Sequence, residues 1–193
     1  MVDRYTRATF QALVDAIIPA TPILAATLGS EQAAGAIDLC IYEYVIQELN
    51  HSRPMQDDIP FSKSTALLLD SSAIELLRKG FVKHFPHVKS FPGGGPFSAL
   101  RRSDRLRAID QLDQLDIELH SLPLPYQENT ALIQTMMNSL NQITMFGYYA
   151  GWSGARTGCF PLSWIQVGYP GQAFGYRDFR GYLLRFPLKG GKS

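Results

Sequence analysis

Proline and glycine interrupt this chain so often that apolar periodicity can run unbroken in only five stretches. In the first, from Thr9 to Ile18, the residues Phe10, Leu13, Val14, Ile17 and Ile18 recur every three or four positions, the spacing of one helical face. Pro19 and Pro22 end it, because proline has no amide hydrogen and biases the residue before it away from helix. Gly29-Ser30 opens the second stretch, with Ser30 placed as N-cap and Glu31 in the first turn. Ala33, Ala34, Ile37, Ile41, Tyr44, Val45 and Leu49 carry the period to His51, before Pro54. A third helix is expected over Ser62 to His84, burying Leu67, Leu68, Ala73, Ile74, Leu77, Phe81 and Val82. Ser103 caps a fourth, running to about Ser121 with Leu106, Ile109, Leu112, Leu115 or Asp116, and Leu119 inward. A fifth opens at Pro125 and carries Leu132, Ile133, Met136, Met137, Leu140, Ile143 and Phe146 to Gly147. No stretch alternates over enough residues to demand a sheet. The expectation is all-α: a single domain whose residues 1–149 form a compact core of about five helices, with residues 150–193 laid over it.

The plainest break lies between the third and fourth helices, at Phe85-Pro86-His87 and then Phe91-Pro92-Gly93-Gly94-Gly95-Pro96. Three glycines between prolines read as a surface loop. A phosphate cradle would need a strand before the glycines and a Lys-Ser/Thr pair on a helix after them, and neither is present.

From Phe146 onward the composition changes. More than half of the chain's Phe, Trp and Tyr residues fall in 146–193, with Arg156, Arg177, Arg180, Arg185, Lys189 and Lys192 set against one acid, Asp178. Glycine recurs at 147, 151, 154, 158, 168, 171, 175 and 181. So aromatic a segment is a poor candidate for disorder, and one so rich in glycine is a poor helix. It is expected to be a long, ordered, irregular wrap that lies across something. Tyr, Trp and Arg are the residues that dominate protein–protein contacts. Tyr148, Tyr149, Trp152, Arg156, Trp164, Tyr169 and Arg177 are therefore the expected partner-binding residues.

Charged residues make up 18% of the chain, below the roughly 25% of an average soluble domain. Little charge is left to keep every surface in water, and uncovered apolar surface marks interfaces. A net charge of +1 provides no field to attract nucleic acid or an anionic membrane. No window approaches the ~18 apolar residues of a membrane span, and the N-terminus lacks the apolar region of an export signal. The expected location is the cytoplasm, with Cys40 and Cys159 as reduced thiols.

The search for chemistry finds no self-contained catalytic set. His51, His84, His87 and His120 lack neighbouring carboxylates or thiols at a ligand spacing, and Pro86 separates His84 from His87. Asp104, Asp110, Asp113, Asp116 and Glu118 alternate with Arg101, Arg102, Arg105 and Arg107, which reads as a solvated charged face. Asp113 with Asp116 is the nearest approach to a carboxylate pair, and Asp57-Asp58 reads as loop solvation. Gly151-Trp152-Ser153-Gly154 has the wrong spacing for a nucleophile elbow, and Cys159 has no base nearby in sequence. No Gly-x-Gly-x-x-Gly follows a strand. No catalytic, cofactor-binding or metal-binding residue is assigned.

Two segments carry a family resemblance. The run from Phe10 through Ile17-Ile18-Pro19 to Pro22 resembles the opening of the gluconate 2-dehydrogenase subunit 3 family, where a short helix ends in an Ile-Ile-Pro-like step. The steps Phe146-Gly147-Tyr148-Tyr149 and Trp164…Val167-Gly168-Tyr169-Pro170-Gly171 resemble that family's C-terminal end. The resemblance implies a small subunit without catalytic residues or a cofactor of its own. Such a subunit binds and stabilises or matures a FAD-dependent dehydrogenase of the glucose–methanol–choline type, often alongside a cytochrome or other electron acceptor. It does not extend to the twin-arginine export signal of many members, because Arg4 and Arg7 are separated and no apolar stretch follows. The competing expectation is a free-standing helical homo-oligomer.

Overall fold

A computed structural model describes residues 2–30, 33–52, 59–87 and 90–150. Among the described residues the chain is helical, with seven α-helices and no strand. Helix α1, Arg4–Ile17, is the centre of the body and packs against five of the others. It starts five residues before the expected Thr9 because Asp3 caps it, its carboxylate accepting from the Thr6 amide at 2.8 Å and the Thr6 hydroxyl at 3.0 Å. Phe10, Ala12, Leu13 and Val14 are wholly buried on it. It ends before Pro19, as the proline requires.

The break expected after Pro19 instead holds a short helix, α2, Pro22–Leu28, with the proline in its first turn, where a missing amide costs nothing. No α2 residue is buried. The helix expected from Ser30 begins only at Ile41, giving α3, Ile41–Ser52. Backbone pairing explains the shortfall: the Thr21 amide donates to Ala33 and the Ala36 amide to Ile18, both at 2.9 Å. A Cβ on Gly35 would stand 2.3 Å from the Ala20 nitrogen, so only glycine lets the two strands of chain meet. The apolar residues of 33–40 are thus packed as a turn, and their helical spacing misled.

Helix α4, Phe61–Arg78, stops six residues short of the expected His84. Gly80 takes the left-handed conformation, its amide reaches Leu77, and the Phe81 amide reaches back to Leu76, which together close the helix in a Schellman motif. Phe81 is consequently exposed, as are the expected core residues Leu67 and Ile74. The buried positions of α4 include Ser64, Thr65 and Ser72; the Thr65 hydroxyl donates to Phe61 and that of Ser72 to Ala108. A four-residue helix, α5, Pro96–Ala99, follows the glycine-rich loop. Helix α6, Arg102–Asp113, closes in the same way as α4, with Leu115 in place of glycine at a positive φ of 59°. Residues 119–121 form a separate 3₁₀ turn, so the expected run to Ser121 is broken in two.

Pro125 does not start the last helix but sits in a turn that buries Tyr126, whose hydroxyl pairs with that of Thr65 at 2.7 Å and whose ring stacks on Phe61. Helix α7, Thr130–Tyr149, begins at Asn129, which caps the Leu132 amide. It buries Leu132, Ile133, Met136, Met137 and Leu140 as expected, whereas Phe146 is exposed. Among the described residues no single helix is long and apolar enough to cross a membrane.

Candidate docking surface and the polar junction behind it

The C-terminal end of α7 separates the expected partner-binding aromatics into two roles. Gly147 is buried against α3: a Cβ there would stand 2.4 Å from Cδ1 of Tyr44 and 3.3 Å from Ile41. That closeness draws the next residue, Tyr148, into the body, where its hydroxyl donates to the Ala34 carbonyl at 2.8 Å. Tyr148 therefore braces the turn that replaced the N-terminal half of the second expected helix. Tyr149 points the other way, 54% exposed and edge-on to Tyr148 at 5.2 Å. One turn earlier, Phe146 is 63% exposed and lies 6.3 Å from the Tyr44 ring. Phe146 and Tyr149, three residues apart, form an apolar step on one face of the helix end. Phe146 was missed as a surface residue because the stripe that predicts burial ran one turn too far. Trp152, Arg156, Trp164, Tyr169 and Arg177 lie outside the described residues.

On the far side of α1, charged groups that read as a solvated face are buried. Asp104 is wholly inaccessible, and its carboxylate accepts the Lys83 and His84 amides at 2.9 and 3.1 Å. It thereby ties the chain after α4 to the start of α6, with Arg107 bound to both Asp104 and the Phe81 carbonyl. Arg105, 3% exposed, donates to the Asp15 carboxylate at 2.8 Å and to the Ala12 and Ser98 carbonyls at 3.3 Å. Its guanidinium also lies over the Phe91 ring. Asp70 is buried too, accepting from the Tyr5 hydroxyl at 2.6 Å and the Phe97 amide at 2.8 Å.

These contacts give the three glycines their physical reason. A Cβ on Gly95 would fall 1.8 Å from the Asp70 carboxylate, and one on Gly94 2.3 Å from the Ser98 hydroxyl. Gly93 has a φ of +97° and lies against the Arg4 side chain. The loop is a tight wrap around a buried carboxylate. Burial pushes Asp70 above the ordinary carboxyl range despite the Tyr5 and Phe97 bonds that favour its charged form. Burial, and then the Asp70 bond and charge, raise the Tyr5 hydroxyl well above its usual value.

The remaining polar candidates are dispersed. Asp113 ends α6, whereas Asp116 lies beyond the Leu115 turn and pairs with Lys79 at 2.9 Å, so the two carboxylates serve different surfaces. His51 contacts the Gln47 carbonyl, His84 stands near Ser103 and His87 near Ser90. Among the described residues no three His, Cys, Asp or Glu side chains gather as metal ligands would. Cys40 is a half-buried free thiol, and Cys159 lies outside the described residues.

No family model, no curated protein and no solved structure matches the chain.

Proposed function

We propose that this chain is a small non-catalytic subunit that binds a FAD-dependent dehydrogenase of the glucose–methanol–choline type and stabilises or matures it in the cytoplasm. The observation that carries the reading is the exposed Phe146–Tyr149 step at the end of α7. It stands where the segment resembling the C-terminal end of gluconate 2-dehydrogenase subunit 3 begins, and the N-terminal resemblance falls on α1 and its Pro19 stop. Exposed aromatics at a helix end fit a partner contact, because they offer large apolar area at small cost in side-chain entropy. On this reading the flavin resides in the partner, this chain contributes contact surface, and an electron acceptor such as a cytochrome completes the assembly.

The test is to purify the tagged full chain from its own cells and examine what accompanies it. A stoichiometric partner with a flavin spectrum is the expected result, and the double variant Phe146→Ala/Tyr149→Ala should lose that partner while keeping its helical circular dichroism. A chain that purifies alone, as a homo-oligomer without flavin, overturns the proposal.

A further inference from the structure

The glycine wrap closes over a carboxylate that is tied to both α1 and α5. Asp70 Oδ2 accepts from the Tyr5 hydroxyl at 2.6 Å, and Oδ1 accepts from the Phe97 amide at 2.8 Å. The backbone at Gly95 lies against the same carboxylate, with no room for a Cβ between them. Few bonds hold the wrap itself: the Ala99 amide and Ser98 hydroxyl donate to the Gly95 carbonyl, and Arg4 donates to the Pro92 carbonyl. Its apolar anchors stand at its C-terminal end, where Phe97 and Leu100 are wholly buried. Residues 92–96 bring three glycines and two prolines, so they can lift while Phe97 and Leu100 stay seated.

Both donors to Asp70 are neutral, and the charged groups on the elements around it are engaged elsewhere. On α1, Arg4 is bonded to Pro92, and Asp3, which caps the helix, pairs with Lys63 of α4. On α6, Arg105 is bonded to Asp15 and the Ser98 carbonyl, and Asp104 accepts the Lys83 and His84 amides. Helix α3, with Glu43, Glu48 and His51, meets α4 two turns before Asp70, where Asn50 accepts the Ser62 amide. Residues 91–99 carry no titratable side chain. Two neutral donors return only part of the hydration that a buried carboxylate gives up. We propose that Asp70 is a proton-dependent latch: neutral, it keeps residues 92–96 closed over it, and ionised, it releases them while the helices stay in place. Burial holds the carboxyl of the closed form above its ordinary range. A lifted wrap lets water in, and the carboxyl then titrates near ~3.9. Closure is therefore complete below that open value and weakens as pH rises through the closed one. The latch stands apart from the docking proposal and holds whatever the partner is.

The test is amide hydrogen exchange on the full chain from about pH 4.5 to about pH 7.5, with the intrinsic base-catalysed rate divided out. Protection of the Phe97 amide should fall by about tenfold or more across that range. Its exchange should be insensitive to low denaturant, because a lifted loop exposes little surface. The Leu140 amide, on the buried side of α7, should exchange more slowly and only through unfolding of the whole chain. Asp70→Asn, which imitates the neutral carboxyl, should hold the Phe97 profile flat. Tyr5→Phe removes a donor to the charged form and should deepen the fall, so the latch stays testable if the asparagine variant does not fold. Phe97 exchanging only together with Leu140 would show that the wrap opens with the entire fold, which overturns the latch. A flat wild-type profile, as expected if a cation holds Asp70 ionised, overturns it too. So does a fall that Asp70→Asn leaves unchanged or that Tyr5→Phe makes shallower.

Discussion

At the α3–α7 seam, Gly147 makes room for an aromatic ring, and the Tyr148 hydroxyl donates to the Ala34 carbonyl on the neighbouring turn. At the glycine-rich junction, Gly95 makes room for a carboxylate that accepts from two donors, and Arg105 nearby is spread over α1, α5 and the Phe91 ring. Both seams use glycine for close approach, but what approaches differs. An aromatic ring packs through broad, weakly directional contacts, so a small displacement weakens them gradually. A buried charge needs partners in fixed positions, because any donor or acceptor left unpaired costs its full desolvation. The junction should therefore be brittle and the seam forgiving.

The same substitution at the two glycines tests that contrast most directly. Gly95→Ala drives a methyl into Asp70, which both of its bonds hold in place, and should cost on the order of 3 kcal/mol in a denaturant titration. Gly147→Ala meets a tyrosine ring that can swing aside and gains helix propensity, so about 1 kcal/mol is expected. Equal losses at the two sites would sink the comparison.

Arg105→Met keeps the packing volume but removes the bonds to Ala12, Asp15 and Ser98. We expect a loss of about 2 kcal/mol, held to that because Asp15 is partly exposed and can hydrate, and because the Arg105 Nε has no partner among the described residues.

Asp70 brings a pH dependence to the junction. Its folded pKa is raised, so the folded state holds the proton more tightly than the unfolded chain, whose carboxyl titrates near ~3.9. The resulting stabilisation is complete below that unfolded value and is lost as pH rises through the folded one. Asp70→Asn should flatten this fall in the thermal midpoint over the mildly acidic range; an unchanged profile would mean that other carboxyls set it.

Smallest is Tyr148→Phe, which removes the hydroxyl that donates to Ala34 and should cost about 1 kcal/mol, read in a denaturant titration. A loss as large as that of Gly95→Ala would show that the turn over 33–36, not the polar junction, is the weak point.

Particular residues show where a linear reading succeeds. Pro19 ended α1 for a reason local to proline, whereas Pro22, expected to belong to the same stop, opened α2, and Gly80 carried a stop signal that was passed over. The inner stripe of α7 was legible from Leu132 to Leu140 because a long amphipathic helix at the surface of a core repeats faithfully. Leu67 and Ile74 misled because α4 is enclosed on more than one side, so small polar residues share its buried positions. The split between two of the expected docking residues, Tyr148 inward and Tyr149 outward, is invisible in the sequence, where the two tyrosines are simply adjacent.

By itself, then, the sequence determined that the described residues are helical and where several helices must break, since periodicity and the chemistry of proline act within a few residues. Tertiary structure alone decided that Asp70, Asp104 and Arg105 are buried and partnered, and that a run of three glycines is a fitted wrap around a carboxylate. Whether a charge is solvated or enclosed depends on backbone amides and carbonyls that arrive from distant parts of the chain, such as Phe97 for Asp70 and Ala12 for Arg105. No local pattern records which of them will meet.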